Sequence, residues 1–128
     1  MREERSAGGV FLSTMNMLAQ QKCVPCEGGT PPLETARVGE LKNQIDPAWV
    51  VVPATSSDAT HLKRECKFGD FVQAMTFVNK IAEIAETESH HPDLYIFYNK
   101  VIIELWTHAV SGLSENDFIL AAKIDQLL

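Results

Sequence analysis

The chain predicts an α+β fold, a four-stranded antiparallel sheet with three helices on one face, in the order α-β-β-α-β-β-α. Three stretches carry that expectation. Residues 69–88 place Phe71, Ala74, Met75, Val78, Ala82 and Ala85 at spacings of three and four, the stripe of an amphipathic helix of about five turns. Residues 61–68 alternate, with Leu62, Arg64, Cys66 and Phe68 on one side and His61, Lys63, Glu65 and Lys67 on the other, as a half-solvated strand does. Residues 95–108 are two apolar runs split at Asn99-Lys100, which reads as a hairpin.

The remaining elements follow in order. Residues 23–32, CVPCEGGTPP, hold three prolines and two glycines and exclude helix and strand. Residues 33–45 carry Leu33, Ala36, Leu41 and Ile45 at loosely helical spacing, and Pro47 stops that helix. AWVVVP, 48–53, is a short strand closed by Pro53. TSSDAT, 55–60, is a turn cluster. Arg64 departs from the apolar face on which its strand places it. Lys63, Arg64 and Lys67 together read as a solvated strand face. After the hairpin, Ser114 and Asp117 form a capping box with Asp in place of Glu, and residues 115–127 make a helix that buries Phe118, Ile119, Ala122 and Leu127.

Composition bounds the function. The 128 residues are 45% hydrophobic and 22% charged, the mix of one ordinary globular domain. No apolar run nears the ~18 residues of a membrane span. Eleven Lys and Arg against seventeen Asp and Glu leave a net charge of -6. That balance argues against a nucleic-acid-binding face. Three cysteines, an odd number, without a secretory signal fit a reducing compartment, and cytoplasmic location is the expectation. Residues 1–21 read as a poorly ordered extension, left open as a targeting segment, and residues 22–128 as the domain. Cys23-x2-Cys26 has metal-ligand spacing, but a structural zinc site needs four ligands and only Cys66 and His61 remain to complete it, so a reduced structural pair is the simpler reading. Trp49 reads as packing.

The histidines carry the chemistry. His90 and His91 are adjacent, beside the rigid Pro92, at the end of the long helix. His108 ends a strand that the hairpin returns toward them. Glu86 and Asp117 could hold these rings by accepting their N–H groups. Spacing leaves two chemistries open: zinc held by three histidines with a free position for water, or metal-free acid/base catalysis.

Glu86-x3-His90-His91-Pro92, Tyr98-Asn99-Lys100-Val101 and Thr107-His108-x3-Gly112-Leu113-Ser114-x2-Asp117 closely resemble the pterin-4a-carbinolamine dehydratase family. Trp49, Phe68-x-Asp70-Phe71 and Cys26-x-Gly28-Gly29-x-Pro31-Pro32-Leu33 are similar to it as well, and the resemblance spans roughly residues 22–128. It implies the sheet-and-helix fold above. It implies dehydration of 4a-hydroxytetrahydropterin to quinonoid dihydropterin during tetrahydrobiopterin recycling, with the pterin as substrate and no metal or organic cofactor. It implies His90, His91 and His108 as catalytic, with Glu86, Ser89, Trp106, Thr107 and Asp117 supporting them or binding substrate, and a homodimer or homotetramer. Imidazole titrates near pH 6.5, so it can both take the N5 proton and protonate the departing hydroxyl near neutrality. Two departures stand out: Ser89 occupies a position that is acidic in animal members, and Trp106 is bulkier than the small polar residue expected there, offering the pterin a stacking face or a narrower pocket. The alternative functions are a dimerisation cofactor for a transcription factor on the same fold, and a three-histidine zinc hydrolase.

Overall fold

The structure, a computed structural model, describes residues 18–128. Residues 18–20 are helical. Then come α1 (Thr35–Lys42), β1 (Val50–Val52), β2 (His61–Lys67), α2 (Phe71–Glu88), β3 (Asp93–Phe97), β4 (Lys100–Leu105), a 3-10 turn (His108–Val110) and α3 (Glu115–Asp125). The four strands are antiparallel in the order β1-β2-β4-β3. This is the predicted architecture. Most of the extension expected over residues 1–21 lies outside the described residues. Its last part is not detached, because Leu18 and Ala19 are buried in the core.

The alternation of β4 decides the layering. Val101, Ile103 and Leu105 are fully buried against α2 and α3, beside Leu62 and Cys66 of β2. Each side chain of this kind contributes about 1.5–3 kcal/mol on burial. The Arg37–Glu40 and Arg37–Glu115 pairs are exposed and screened by solvent, so apolar packing joins the layers. The opposite sheet face leaves Val50, Tyr95 and Phe97 exposed.

Local chemistry sets the element ends. Asp70 Oδ1 accepts the Gln73 N–H at 2.8 Å and starts α2. The core stripe of α2 is Ala74, Phe77, Val78, Ile81 and Ala85. Phe71 and Ala82, predicted in that stripe, are exposed, while Phe77 is buried in their place. Phe71 is the first residue of the helix, and the buried positions begin three residues later, at Ala74. Ala36 of α1 is exposed too, and the buried positions are Leu41 and Ile45. The hairpin turn is Tyr98-Asn99 rather than Asn99-Lys100, because Lys100 already pairs with Phe97. Asn99 earns a second role: its Nδ2 donates to Phe68 O at 2.9 Å and ties the turn to the end of β2.

Arg64 is not part of a solvated face. Its side chain points under the sheet, where Nη1 donates to Asp125 Oδ1 at 2.6 Å. The same carboxylate accepts Trp49 Nε1–H at 2.7 Å and the Asp46 N–H at 2.9 Å. Burial pushes the Asp125 carboxyl above the usual range, against the pull of these donors and the guanidinium. Trp49, fully buried, packs as expected and spends its only donor here. Asp125→Ala would leave a guanidinium and an indole N–H without their acceptor. The expected loss is about 3 kcal/mol, read from urea unfolding.

Candidate active site

The site starts where α2 stops. Ser89 caps the helix in the left-handed region, at φ 54°. A non-glycine residue there costs roughly 1–2 kcal/mol. The reversal it makes sends the next two residues, His90 and His91, off the helix end. The His90 N–H still donates to Ala85 O at 3.2 Å, which fixes the start of that excursion.

His90 points inward. Its Nε2 lies 2.7 Å from Asp117 Oδ1. Asp117 is completely buried. Its other oxygen accepts from Thr107 Oγ1 at 2.8 Å and from the Ser114 N–H at 2.9 Å. Thr107 Oγ1 also lies 2.7 Å from Ser114 Oγ. The capping box predicted at Ser114 and Asp117 is therefore present, and its carboxylate serves α3 and the imidazole together. A buried carboxylate accepts and does not donate, so Nε2 of His90 is the donor in this bond and Nδ1 lies outside it. His91 takes a different partner, with Nε2 2.7 Å from Glu86 Oε2. That pair is in solvent, with side chains 60% and 79% exposed. It sets a ring direction more than it adds stability.

His108 lies in the 3-10 turn beyond β4 rather than in the strand itself, and it is exposed. Its ring stacks on Trp106, with centroids 3.8 Å apart and planes 19° from parallel. Trp106 Nε1 lies 3.4 Å from Asp93 Oδ2. The indole face that sequence offered to a pterin is thus given to an imidazole. The loop that carries His108 is closed at its base, where the Thr107 N–H donates to Gly112 O at 2.8 Å. Below it, the Leu33 N–H donates to Leu113 O at 2.9 Å. This brings Pro32 so close that a Cβ on Gly112 would stand 2.9 Å from its Cβ. Gly112 permits that approach.

A cavity of about 380 Å³ opens beside His90. Ser89, His90, Thr107 and Ala109 line one part of it, and the arm from Lys22 to Cys26 lines another. The arm is tied down. The Cys23 N–H donates to Glu88 Oε1 at 2.8 Å. The Val24 N–H donates to Asn116 Oδ1 at 2.9 Å, and Asn116 Nδ2 donates to Val24 O at 2.6 Å. Burial, helped by the Glu88 charge, pushes the Cys23 thiol up to about 12.

Tertiary structure thus unites Ser89, His90, Thr107 and Asp117 through direct bonds or a shared cavity. Glu86 serves His91 only, and Trp106 serves His108. Asn116 and Glu88 were not singled out from sequence. The signal for Asn116 was its place beside Asp117 in the first turn of α3. His61 lies on the open sheet face, 3.8 Å from Glu104, away from the cysteine pair it was considered to join. Among the described residues, no group of three or more His, Cys, Asp or Glu is placed to hold a metal ion, and no helix is long and apolar enough to cross a membrane.

The arrangement sets a buried carboxylate on one of several histidines at the edge of a four-stranded sheet, on an α+β scaffold. A model of the pterin 4 alpha carbinolamine dehydratase family matches residues 31–127, and the chain belongs to that family. A relative from Rickettsia bellii, provisionally named a pterin-4-alpha-carbinolamine dehydratase, is 49% identical over 86% of this chain and 93% of its own. One from Alkaliphilus metalliredigens, with the same provisional name, is 44% identical over 88% and 96%. Among solved structures, a transcriptional coactivator/pterin dehydratase from Brucella melitensis superposes with a TM-score of 0.68 at 30% identity, covering 75% of this chain and 97% of that one. A pterin dehydratase-like RuBisCO assembly factor of the alpha-carboxysome shares the fold at a TM-score of 0.53 and 22% identity, over 62% of this chain and 88% of that one.

The contact at Gly112 can be tested directly. Gly112→Ala must displace Pro32 or the His108 loop, and overpacking of this kind costs about 1–3 kcal/mol. The expected outcome is a lower melting temperature by differential scanning calorimetry, relieved in part by Pro32→Ala.

Proposed function

We propose that this chain removes water from a 4a-hydroxytetrahydropterin to give quinonoid dihydropterin, with His90 and His108 exchanging the protons. The observation that carries the reading is the 2.7 Å bond between His90 and the buried Asp117, in a chain of the dehydratase family. Asp117 holds the ring with Nδ1 free, which is what a proton-transferring imidazole needs. The chemistry balances within the substrate. A base takes the N5 proton, the N5–H electron pair becomes the second bond of C4a=N5, and the C4a–O bond breaks. The oxygen leaves as water after an acid protonates it. Two imidazoles near neutrality can serve as that base and acid, each worth roughly 10²–10⁴-fold. His91, steered by the exposed Glu86, assists in orienting substrate. No metal or organic cofactor takes part in this scheme, and recycling of tetrahydrobiopterin is the context in which its substrate arises.

The test is single-turnover dehydration of chemically generated 4a-hydroxytetrahydropterin. His90→Ala and His108→Ala should each lower the rate by about 10²-fold or more while the proteins stay folded. The double variant should lose less than the product, because groups acting on one step are not additive. EDTA and added zinc should change nothing. Loss of activity to the chelator would replace this reading with the zinc hydrolase, and near wild-type rates in both single variants would end it.

The same proposal includes an oligomer of even order. β1 and β3 are open sheet edges, and β3 leaves Tyr95, Ile96 and Phe97 exposed. Exposed edges of this kind are normally paired or covered. Sedimentation velocity at micromolar concentration should show dimer or tetramer, and a monomer alone would contradict it.

A further inference from the structure

We infer that residues 23–26 form the outer wall of the pterin pocket, that they receive the apolar C6–C7 edge of the reduced pterin, and that Asn116 is the residue that positions this wall. The inference rests on the dehydratase reading and extends it to a part of the chain that the reaction itself does not use.

Three observations carry it. First, the cavity that His90 lines is bounded by Val24, Pro25 and Cys26 on another side. At about 380 Å³ it falls within the range of roughly 300–1,000 Å³ for small-molecule pockets. A pterin whose C4a and N5 meet His90 must extend from it across this space. Second, the arm is held by contacts that span the chain. Asn116 makes a two-way clamp on the Val24 peptide, donating at 2.6 Å and accepting at 2.9 Å. Both arm thiols also meet it: Cys23 Sγ donates to Asn116 O at 3.6 Å, and Asn116 Nδ2 lies 3.4 Å from Cys26 Sγ. Asn116 itself is only 5% exposed. Third, Asn116 precedes Asp117, the residue that steers His90. One turn of α3 therefore sets both the reacting imidazole and the wall facing it, so the distance between them is fixed within one rigid element.

The chemistry of the arm selects the substrate edge. The backbone groups of Val24 and the N–H of Cys23 are already bonded to Asn116 and Glu88. Residues 23–26 bring to the cavity lining the apolar residues Val24 and Pro25 and two thiols. The aminopyrimidine edge of a pterin needs donors and acceptors. The C6 and C7 ring carbons themselves, next to N5, do not. The arm fits the second.

The arm also contains its own reporter. Cys66 is buried, and the Cys23 thiol is pushed up to about 12, so neither forms much thiolate at pH 8. Cys26 is the thiol left to react with iodoacetamide. In the wild-type protein, saturating 6-methyl-7,8-dihydropterin should slow alkylation of Cys26, read by peptide mass spectrometry, by about fivefold or more. Asn116→Ala should raise KM by about tenfold and leave kcat within about twofold, the pattern of lost uniform binding. An unchanged Cys26 rate under saturating pterin would overturn the inference, and so would an unchanged KM in a folded Asn116→Ala. If that variant fails to fold, the wild-type alkylation decides. The protection assay needs no turnover. Full activity in both His90→Ala and His108→Ala would therefore end the proposed mechanism while Cys26 protection still established the wall. Loss of activity in His90→Ala without Cys26 protection would remove the wall alone.

Discussion

A carboxylate with no solvent exposure must have its lone pairs filled, and Asp117 fills them with an imidazole, a hydroxyl and a backbone N–H. Leaving such a charge short of a partner costs several kcal/mol, far more than any surface ion pair returns. The N-terminus of α3 adds its own favourable field for a negative charge. Three separate pieces of chain are committed by this one group: the end of α2 through His90, the end of β4 through Thr107, and the start of α3 through Ser114. The geometry of the site is the geometry of those bonds.

α3 is the element on which the rest is assembled. From Asn116 to Ala122 every side chain is buried, and Ile124 after them. A helix enclosed on nearly all sides has no amphipathic stripe to read. Its enclosure comes from the sheet, from α1 and α2, and from Leu18 and Ala19. Each end of α3 then carries a carboxylate with a structural duty. Asp117 at the start steers a histidine, and Asp125 at the end anchors Trp49 and Arg64. The helix is located at both ends by charge-assisted bonds and along its length by packing.

Among the described residues, left-handed backbone outside glycine occurs at Tyr98 in the hairpin turn and at two turns beside the histidines. Ser89 precedes His90 and Ser111 follows the His108 turn, both with φ of 54°. Such residues persist where neighbouring contacts over-determine the backbone. Here those contacts are the Ala85 carbonyl, which accepts the His90 N–H, and the Thr107–Gly112 bridge. The two rings are thus set by backbone as well as by side-chain partners.

Periodicity was enough for the fold class, the four strands, α1 and α2, because alternation and three-four spacing are direct marks of one-sided burial, but it did not show the helical residues 18–20. The Ser114–Asp117 cap was legible for the same reason: it is a local motif, complete within four residues. The histidines and their two acids were legible as residue types at telling positions. Tertiary structure decided the pairings. Glu86 went to His91 across five residues, but Asp117 reached His90 across 27, and nothing local distinguishes those choices. Arg64 contradicted its strand because its partner, Asp125, lies 61 residues away. The cysteine arm had no role in sequence terms, since Asn116 is 92 residues from Val24. Composition and period report which side of an element is buried. They hold no record of which polar group waits on the other side of the core, and it is that meeting, made only when the layers close, that turns a set of histidines into a site.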